Sequence, residues 1–138
     1  MTRVRDLMSP DIHVVAETDP LTATARLMRA HDVGSLPVCG QDGRLRGVLT
    51  DRDIVVGAVA DDANPALTTV GSLATASVVT VEVDADLDEA RRLMAGHRVR
   101  RLPVLEDGRL VGVLSQADLA RHDDAAHVGV VVGEISEP

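Results

Sequence analysis

The hydrophobic pattern of the chain changes period in a fixed order, and that order occurs twice. Two short β-rich runs, IHVV at 12–15 and VVTV at 78–81, predict strands, and TDP or DAD after them marks the exit into a helix start. Leu21, Ala25 and Met28 then recur at three-to-four spacing, as do Leu87, Ala90 and Met94 in the second occurrence. Each set predicts a helix with one buried stripe, ending near Asp32 and Arg98. At LPV (36–38 and 102–104) a strand begins with proline at an early position. The Asp-Gly pairs at 42–43 and 107–108 supply the positive φ that a tight reversal into a second strand demands. GVLTDRDI (47–54) and GVLSQADL (112–119) end that strand and open a second helix. Thr50 and Ser115 serve as N-caps, and Asp53 and Asp118, three residues on, close a capping box. The predicted unit is β-α-β-β-α.

Laying residues 21–54 over 87–119, with Gln41 opposite a gap, gives 17 identities in 33 aligned positions. This is an internal duplication, extended more weakly by VRDLM at 4–8 and VGSLA at 70–74. The expected division is a first repeat over 1–60, a linker over 61–69 that carries Asn-Pro and threonines, a second repeat over 70–124, and a tail over 125–138. The apolar run of the tail reads as a helix rather than an edge strand. The helices of each unit cover one face of its sheet, so the two bare faces are expected to pack together. The fold class is therefore α/β (α+β), with two β-α-β-β-α repeats packed sheet to sheet.

Composition narrows the functions open to such a chain. Phe, Tyr and Trp are absent, so the core must be built from Leu, Val, Ile, Met and Ala. The net charge of -8, with every basic residue an arginine, argues against nucleic acid, whose binders need clustered positive charge to displace counterions. Cys39 is the only cysteine, which precludes an intramolecular disulfide and reads as a small buried hydrophobe in a reducing compartment. No run of eighteen apolar residues and no secretory h-region occurs, so neither membrane nor export is expected, and the cytoplasm is the default. There is no nucleophile elbow, P-loop or HExxH motif, and Asp51 with Asp53 is a helix first turn. His31 and His97 occupy equivalent helix ends, where histidine commonly meets the dipole. Neither a catalytic nor a metal site is expected.

The doubled LPV, DGRL and GVL(T/S)xxD blocks resemble a pair of cystathionine-β-synthase (CBS) domains, a Bateman module, over essentially residues 1–124. The similarity extends to small bacterial proteins made of such a pair alone, of the hypoxic-response type. The resemblance implies repeats related by a pseudo-twofold axis, with clefts able to hold AMP, ADP, ATP, NAD or S-adenosylmethionine, and no required cofactor. It marks Gly47, Val48, Thr50 and Asp53, with Gly112, Val113, Ser115 and Asp118, as the ribose-binding ends. A carboxylate can accept from two vicinal hydroxyls at once, and a helix start favours phosphate. Val48 and Val113, with His13 and Val79 from the first strands, would wall the adenine. Arg100 and Arg101 would grip phosphate through their planar forks, whereas the first copy has Gly34 and Ser35 in their place, so the clefts should differ in ligand charge. The function implied is a cytoplasmic energy or stress sensor, homodimeric, that binds an adenosyl small molecule and signals to an unidentified protein target. The alternative is an interaction or dimerisation scaffold with vestigial, ligand-free clefts. Capping and ribose binding are compatible if each aspartate gives one oxygen to its own helix and offers the other outward.

Overall fold

The structure, a computed structural model, describes residues 1–125. It is a mixed α/β protein with two three-stranded sheets, ordered β1-β2-β3 and β4-β5-β6. A short helix α1 (Val4–Leu7) is followed by β1 (Val15–Ala16), α2 (Leu21–His31), β2 (Ser35–Cys39), β3 (Leu45–Thr50) and α3 (Asp51–Ile54), which widens into a π-helical turn over Val55–Val59. After a 3₁₀ turn at Val70–Ser72 come β4 (Val81–Glu82), α4 (Leu87–His97), β5 (Arg101–Glu106), β6 (Arg109–Ser115) and a helix α5 over 116–125. No helix among the described residues is long and apolar enough to cross a membrane. The tail from 126 onward, expected as a helix, lies outside the described residues.

The first strands are shorter and later than IHVV and VVTV suggest. β1 pairs parallel to β2 only through Val15 with Val38 and Ala16 with Cys39, and β4 meets β5 only through Val81 with Val104 and Glu82 with Leu105. His13 and Val14 precede any partner strand and are exposed, so β propensity there finds nothing to pair with. β2 is the middle strand, yet its Pro37 lies before the point where β1 joins, so the missing N–H costs no ladder bond on that side.

The helix stripe needs a second correction. α4 buries Leu87, Ala90 and Met94 as expected, but α2 buries Leu21, Thr24 and Met28 and exposes Ala25. Thr24 holds the register of Ala90, and its hydroxyl donates to Pro20 O at 3.4 Å, the standard way for a helical threonine to enter a core. Both helices stop where the sequence places the stop. Asp32 and Arg98 are left-handed, with φ of 52° and 55°, and donate their N–H groups to Met28 O and Met94 O. In α4, Gly96 sits where α2 has Ala30, and a Cβ there meets nothing within 4 Å. Gly96→Ala should stabilise the protein by about 0.5–1 kcal/mol, read as a raised urea midpoint at unchanged slope, because it removes only unfolded-state freedom.

The two hairpins differ by Gln41. Asp107 and Gly108, with φ of 53° and 78°, form a two-residue turn with both residues positive. In the first copy only Gly43 is positive (77°), Gly43 N–H donates to Gly40 O at 3.1 Å, and the register of β2 against β3 shifts between Val38 and Cys39. An inserted residue is thus absorbed as a longer turn with a bulge, and the strand beyond keeps its facing.

The chain forms two compact units that do not coincide with the sequence repeats. One holds Ile12–Val78 with Asp107–Leu110, and the other holds Met1–Asp11, Val79–Glu106 and, of the described residues, 111–125. The leading segments account for this. Val4 and Arg5 donate backbone N–H groups to Ala85 O and Val83 O, and Ser9 exchanges two backbone bonds with Val113 at 2.9 and 3.0 Å. In the other unit Leu21 N donates to Thr68 O, Val70 N to Asp19 O, and Thr75 exchanges two bonds with Val48 at 2.9 and 3.0 Å. Each unit has its own aliphatic core. Leu21, Leu36, Val38, Leu49 and Val70 centre one, and Val4, Leu102, Val104 and Leu114 the other.

Candidate functional site

Each repeated block places its hydroxyl residue at the last position of the second hairpin strand, β3 or β6, with a helix beginning on the next residue. Thr50 has extended backbone (φ −109°, ψ 161°), so its side chain can turn back over the first turn of α3. Its Oγ1 accepts from Asp53 N–H at 3.0 Å, and Asp53 Oδ2 accepts from Thr50 N–H at 2.9 Å. The second copy repeats this. Ser115 Oγ accepts from Asp118 N–H at 3.0 Å, and Asp118 Oδ2 accepts from Ser115 N–H at 2.8 Å. Both aspartates are therefore capping-box residues, and each commits one oxygen to its own helix.

The second oxygens differ. Among the described residues nothing donates to Asp53 Oδ1, whereas Asp118 Oδ1 accepts from the guanidinium of Arg121. Asp118 is largely covered, with 14% of its side chain exposed, and Arg121 is open at 73%. Arg121 is not part of the repeated block, and sequence reading passed over it; its i,i+3 spacing from Asp118 on α5 was the available signal. The equivalent position in the first copy is Val56.

One further backbone bond builds each site. Asp51 N donates to Gly34 O at 2.8 Å, and Gln116 N donates to Arg100 O at 2.7 Å, so the residue before the central strand is tied to the start of the following helix. Gly34 and Ser35 thereby lie beside Thr50, with Ser35 paired to it across the ladder, and Arg100 lies beside Ser115. A Cβ at Gly34 would come 3.1 Å from Asp51 Oδ2, so this glycine leaves room for an acidic side chain. Arg100 and Arg101 are exposed. The neighbouring sequence is opposite in charge: Asp51 and Asp53 follow Thr50 and Asp32 lies two residues before Gly34, whereas Arg98 and Arg101 lie within two residues of Arg100 and Arg121 meets Asp118.

The predicted apolar walls are placed unequally. Val48 and Val113 are half-buried, and their backbone groups are already taken by Thr75 and Ser9. Val79 is half-buried against the Leu102–Leu114 core. His13 is exposed, and its ring stacks on His31. Cys39 is half-buried, and burial pushes its thiol up, which lowers the thiolate fraction on which reactivity depends. An open hollow of about 240 Å³ lined by Met1, Thr2, Asp86, Leu87 and Asp88 includes none of the candidate residues.

The geometry of two capped helix starts behind two duplicated hairpins can be set beside known proteins. A family model for the CBS domain matches residues 4–58 and 70–125. The chain belongs to the CBS domain family. Among relatives of this CBS pair, Hypoxic response protein 1 of Mycobacterium tuberculosis is 47% identical over 122 residues, covering 88% of this chain and 85% of the relative. A crystal structure of Hypoxic Response Protein I with two coordinated zinc ions has a TM-score of 0.79 over 88% of this chain and 99% of that one. CBSX2 in complex with AMP is 28% identical, with a TM-score of 0.79 over 92% of this chain and 99% of that one. The CBS domain pair of MJ0100, in complex with 5'-methylthioadenosine and S-adenosyl-L-methionine, is 25% identical with a TM-score of 0.72 over 91% and 98%. CBS pairs of this fold thus take adenosyl ligands in some relatives.

Proposed function

We propose that this CBS pair is a regulatory module that binds an adenosyl ligand at its (T/S)xxD helix starts and acts as a cytoplasmic energy or stress sensor rather than as an enzyme. The observation that carries the reading is the division of labour at Asp53: Oδ2 caps α3, and Oδ1 has no donor among the described residues and can accept a ribose hydroxyl. The AMP and S-adenosylmethionine complexes of the relatives supply the ligand class. Thr50, Val48, Gly34, Ser35 and His13 line the first-copy site, and Ser115, Val113, Val79, Arg100 and Arg101 accompany Asp118 in the second. The arginines favour a phosphorylated ligand at the second-copy site. The acidic surroundings of Thr50 favour an uncharged or cationic adenosyl group at the first. A homodimer signalling to a protein target completes the proposal, with neither nucleic acid nor membrane as partner.

Calorimetry with AMP, ATP and S-adenosylmethionine tests it on wild type, Asp53→Asn and Asp118→Asn. Asparagine keeps an acceptor for the cap but loses the charge. A hydrogen bond to a charged group is worth about 1.5–3 kcal/mol, so each substitution should weaken its own site at least about tenfold while the unfolding midpoint moves little. Affinities unchanged in both variants, or no thermal stabilisation by any of the three ligands at millimolar concentration, would sink the proposal.

One observation favours a second reading, the interaction scaffold. Val55, Val56 and Val59, on the turn after α3, are 56%, 55% and 63% exposed, an apolar strip of the kind that protein partners cover. Under that reading all three ligands give no heat, and Val56→Arg abolishes self-association instead.

A further inference from the structure

We infer that Arg121 is an internal competitor at the second-copy site: its guanidinium holds the carboxylate oxygen that a ribose hydroxyl needs, so a ligand binds there by displacing it. The inference rests on the adenosyl reading above and adds to it a control that the first copy lacks. Asp118 spends Oδ2 on the N–H of Ser115 at 2.8 Å, and its Oδ1 accepts from Arg121, which lies at i,i+3 on the same helix. Both oxygens are therefore engaged within the chain. Only 14% of the Asp118 side chain is exposed, so a ribose reaching it must approach the oxygen that the guanidinium already holds.

The duplication supplies the comparison. In the first copy Val56 stands where the second has Arg121, a side chain with no hydrogen-bonding group, and nothing among the described residues donates to Asp53 Oδ1. The same (T/S)xxD start is thus open in one copy and latched in the other.

The size of the effect follows from exposure. Arg121 is 73% exposed, so the displaced guanidinium returns to water and the pair is of the surface kind. Such pairs correspond to a factor of about two to five in an equilibrium constant, which makes Arg121 a modulator of affinity and not a block. The helix that carries it has a separate tie, since Asp123 takes the guanidinium of Arg91 on α4, and releasing Arg121 does not unseat α5. Screening gives the latch a signature of its own. An uncharged nucleoside gains little from salt, whereas the ion pair it must break weakens as salt rises, so the latched site should bind such a ligand more tightly at high ionic strength.

The test uses adenosine, which carries no phosphate and no net charge, titrated into the full chain as wild type, Arg121→Met and Arg121→Lys. Backbone amide signals of residues 115–118 and 50–53 in ¹H–¹⁵N NMR report the two copies separately, at about 50 and about 500 mM NaCl, either side of the range where the Debye length shrinks below the spacing of surface charges. Arg121→Met, which keeps the aliphatic stem, should tighten adenosine at residues 115–118 about threefold in low salt and leave residues 50–53 unchanged. High salt should move wild type and Arg121→Lys toward the affinity of Arg121→Met, and should leave Arg121→Met where it is. Second-copy binding that is unchanged, weaker or absent in Arg121→Met while the first copy responds overturns the latch and leaves the adenosyl reading standing. Silence at both copies in every protein sinks the adenosyl reading and this inference with it.

Discussion

Gly47→Ala should destabilise the protein by about 3 kcal/mol, far more than an added methyl group ordinarily costs. Gly47 is buried in β3, and a Cβ there would stand 2.5 Å from Thr75 O, 3.1 Å from Thr75 C and 3.5 Å from Ala76 Cα. All three are backbone atoms, so no side chain can rotate away. The segment at Thr75 must retreat, and retreat breaks its two bonds with Val48 at 2.9 and 3.0 Å. Overpacking at about 1–3 kcal/mol and two backbone bonds at about 0.5–1.5 kcal/mol each set the size of the loss. Gly112→Ala is the matched control, because its Cβ would meet Met8 Sδ at 2.8 Å, which can swing aside, as well as Ser9 O at 2.8 Å. Urea unfolding should rank Gly47→Ala below Gly112→Ala and both below wild type. A Gly47→Ala midpoint indistinguishable from wild type would show that Thr75 does not lie where the structure places it. The glycine that opens each repeated block is thus required by a neighbouring backbone, and its presence says nothing about a ligand.

Leu114→Ala should cost about 2–5 kcal/mol, and Leu49→Ala a similar amount. Both leucines are fully buried, Leu114 among Val4, Leu102 and Val104, and Leu49 among Leu21, Leu36 and Val38. With no aromatic residue available, both cores are filled by aliphatic side chains, and the atoms lost leave a cavity that neighbouring valines, stiff at χ1, cannot swing into. Each leucine also immediately precedes the hydroxyl residue that caps the next helix, so the same substitutions should loosen the Thr50–Asp53 and Ser115–Asp118 boxes. Amide exchange at Asp53 and Asp118 measures that directly. A stability loss under about 1 kcal/mol would mean that the site collapses onto the gap, contrary to a close-packed core.

Some features of the fold and site were legible because a few neighbouring residues settle them. Thr50 with Asp53 and Ser115 with Asp118 name both partners of a capping box within three residues. Gly43 and Gly108 name their turns, although only the coordinates reveal that Gln41 turns one hairpin into a longer, bulged version. Other features were misread because local pattern left two equivalent options. Ala25 and Thr24 both fit a helix stripe, and hydrophobicity favours Ala25, yet register against the sheet chose Thr24, whose hydroxyl finds Pro20 O. IHVV has strand propensity throughout, but only Val15 onward meets a partner. Arg121 escaped because it follows the repeated block, and its contact with Asp118 makes the two carboxylates unequal.

By itself the sequence determined the duplication, the aliphatic cores, the helix stops at Asp32 and Arg98 and the two capped helix starts. Each of these depends on composition, on alignment of the copies or on bonds spanning a few residues. Tertiary structure alone decided that residues 4–9 complete the unit of the second hairpin and 68–75 that of the first, that Gly47 must lack a side chain, and that His13 meets His31. Those outcomes depend on contacts between segments far apart in the chain, where backbone pairing and core packing select among arrangements that local preference leaves equal.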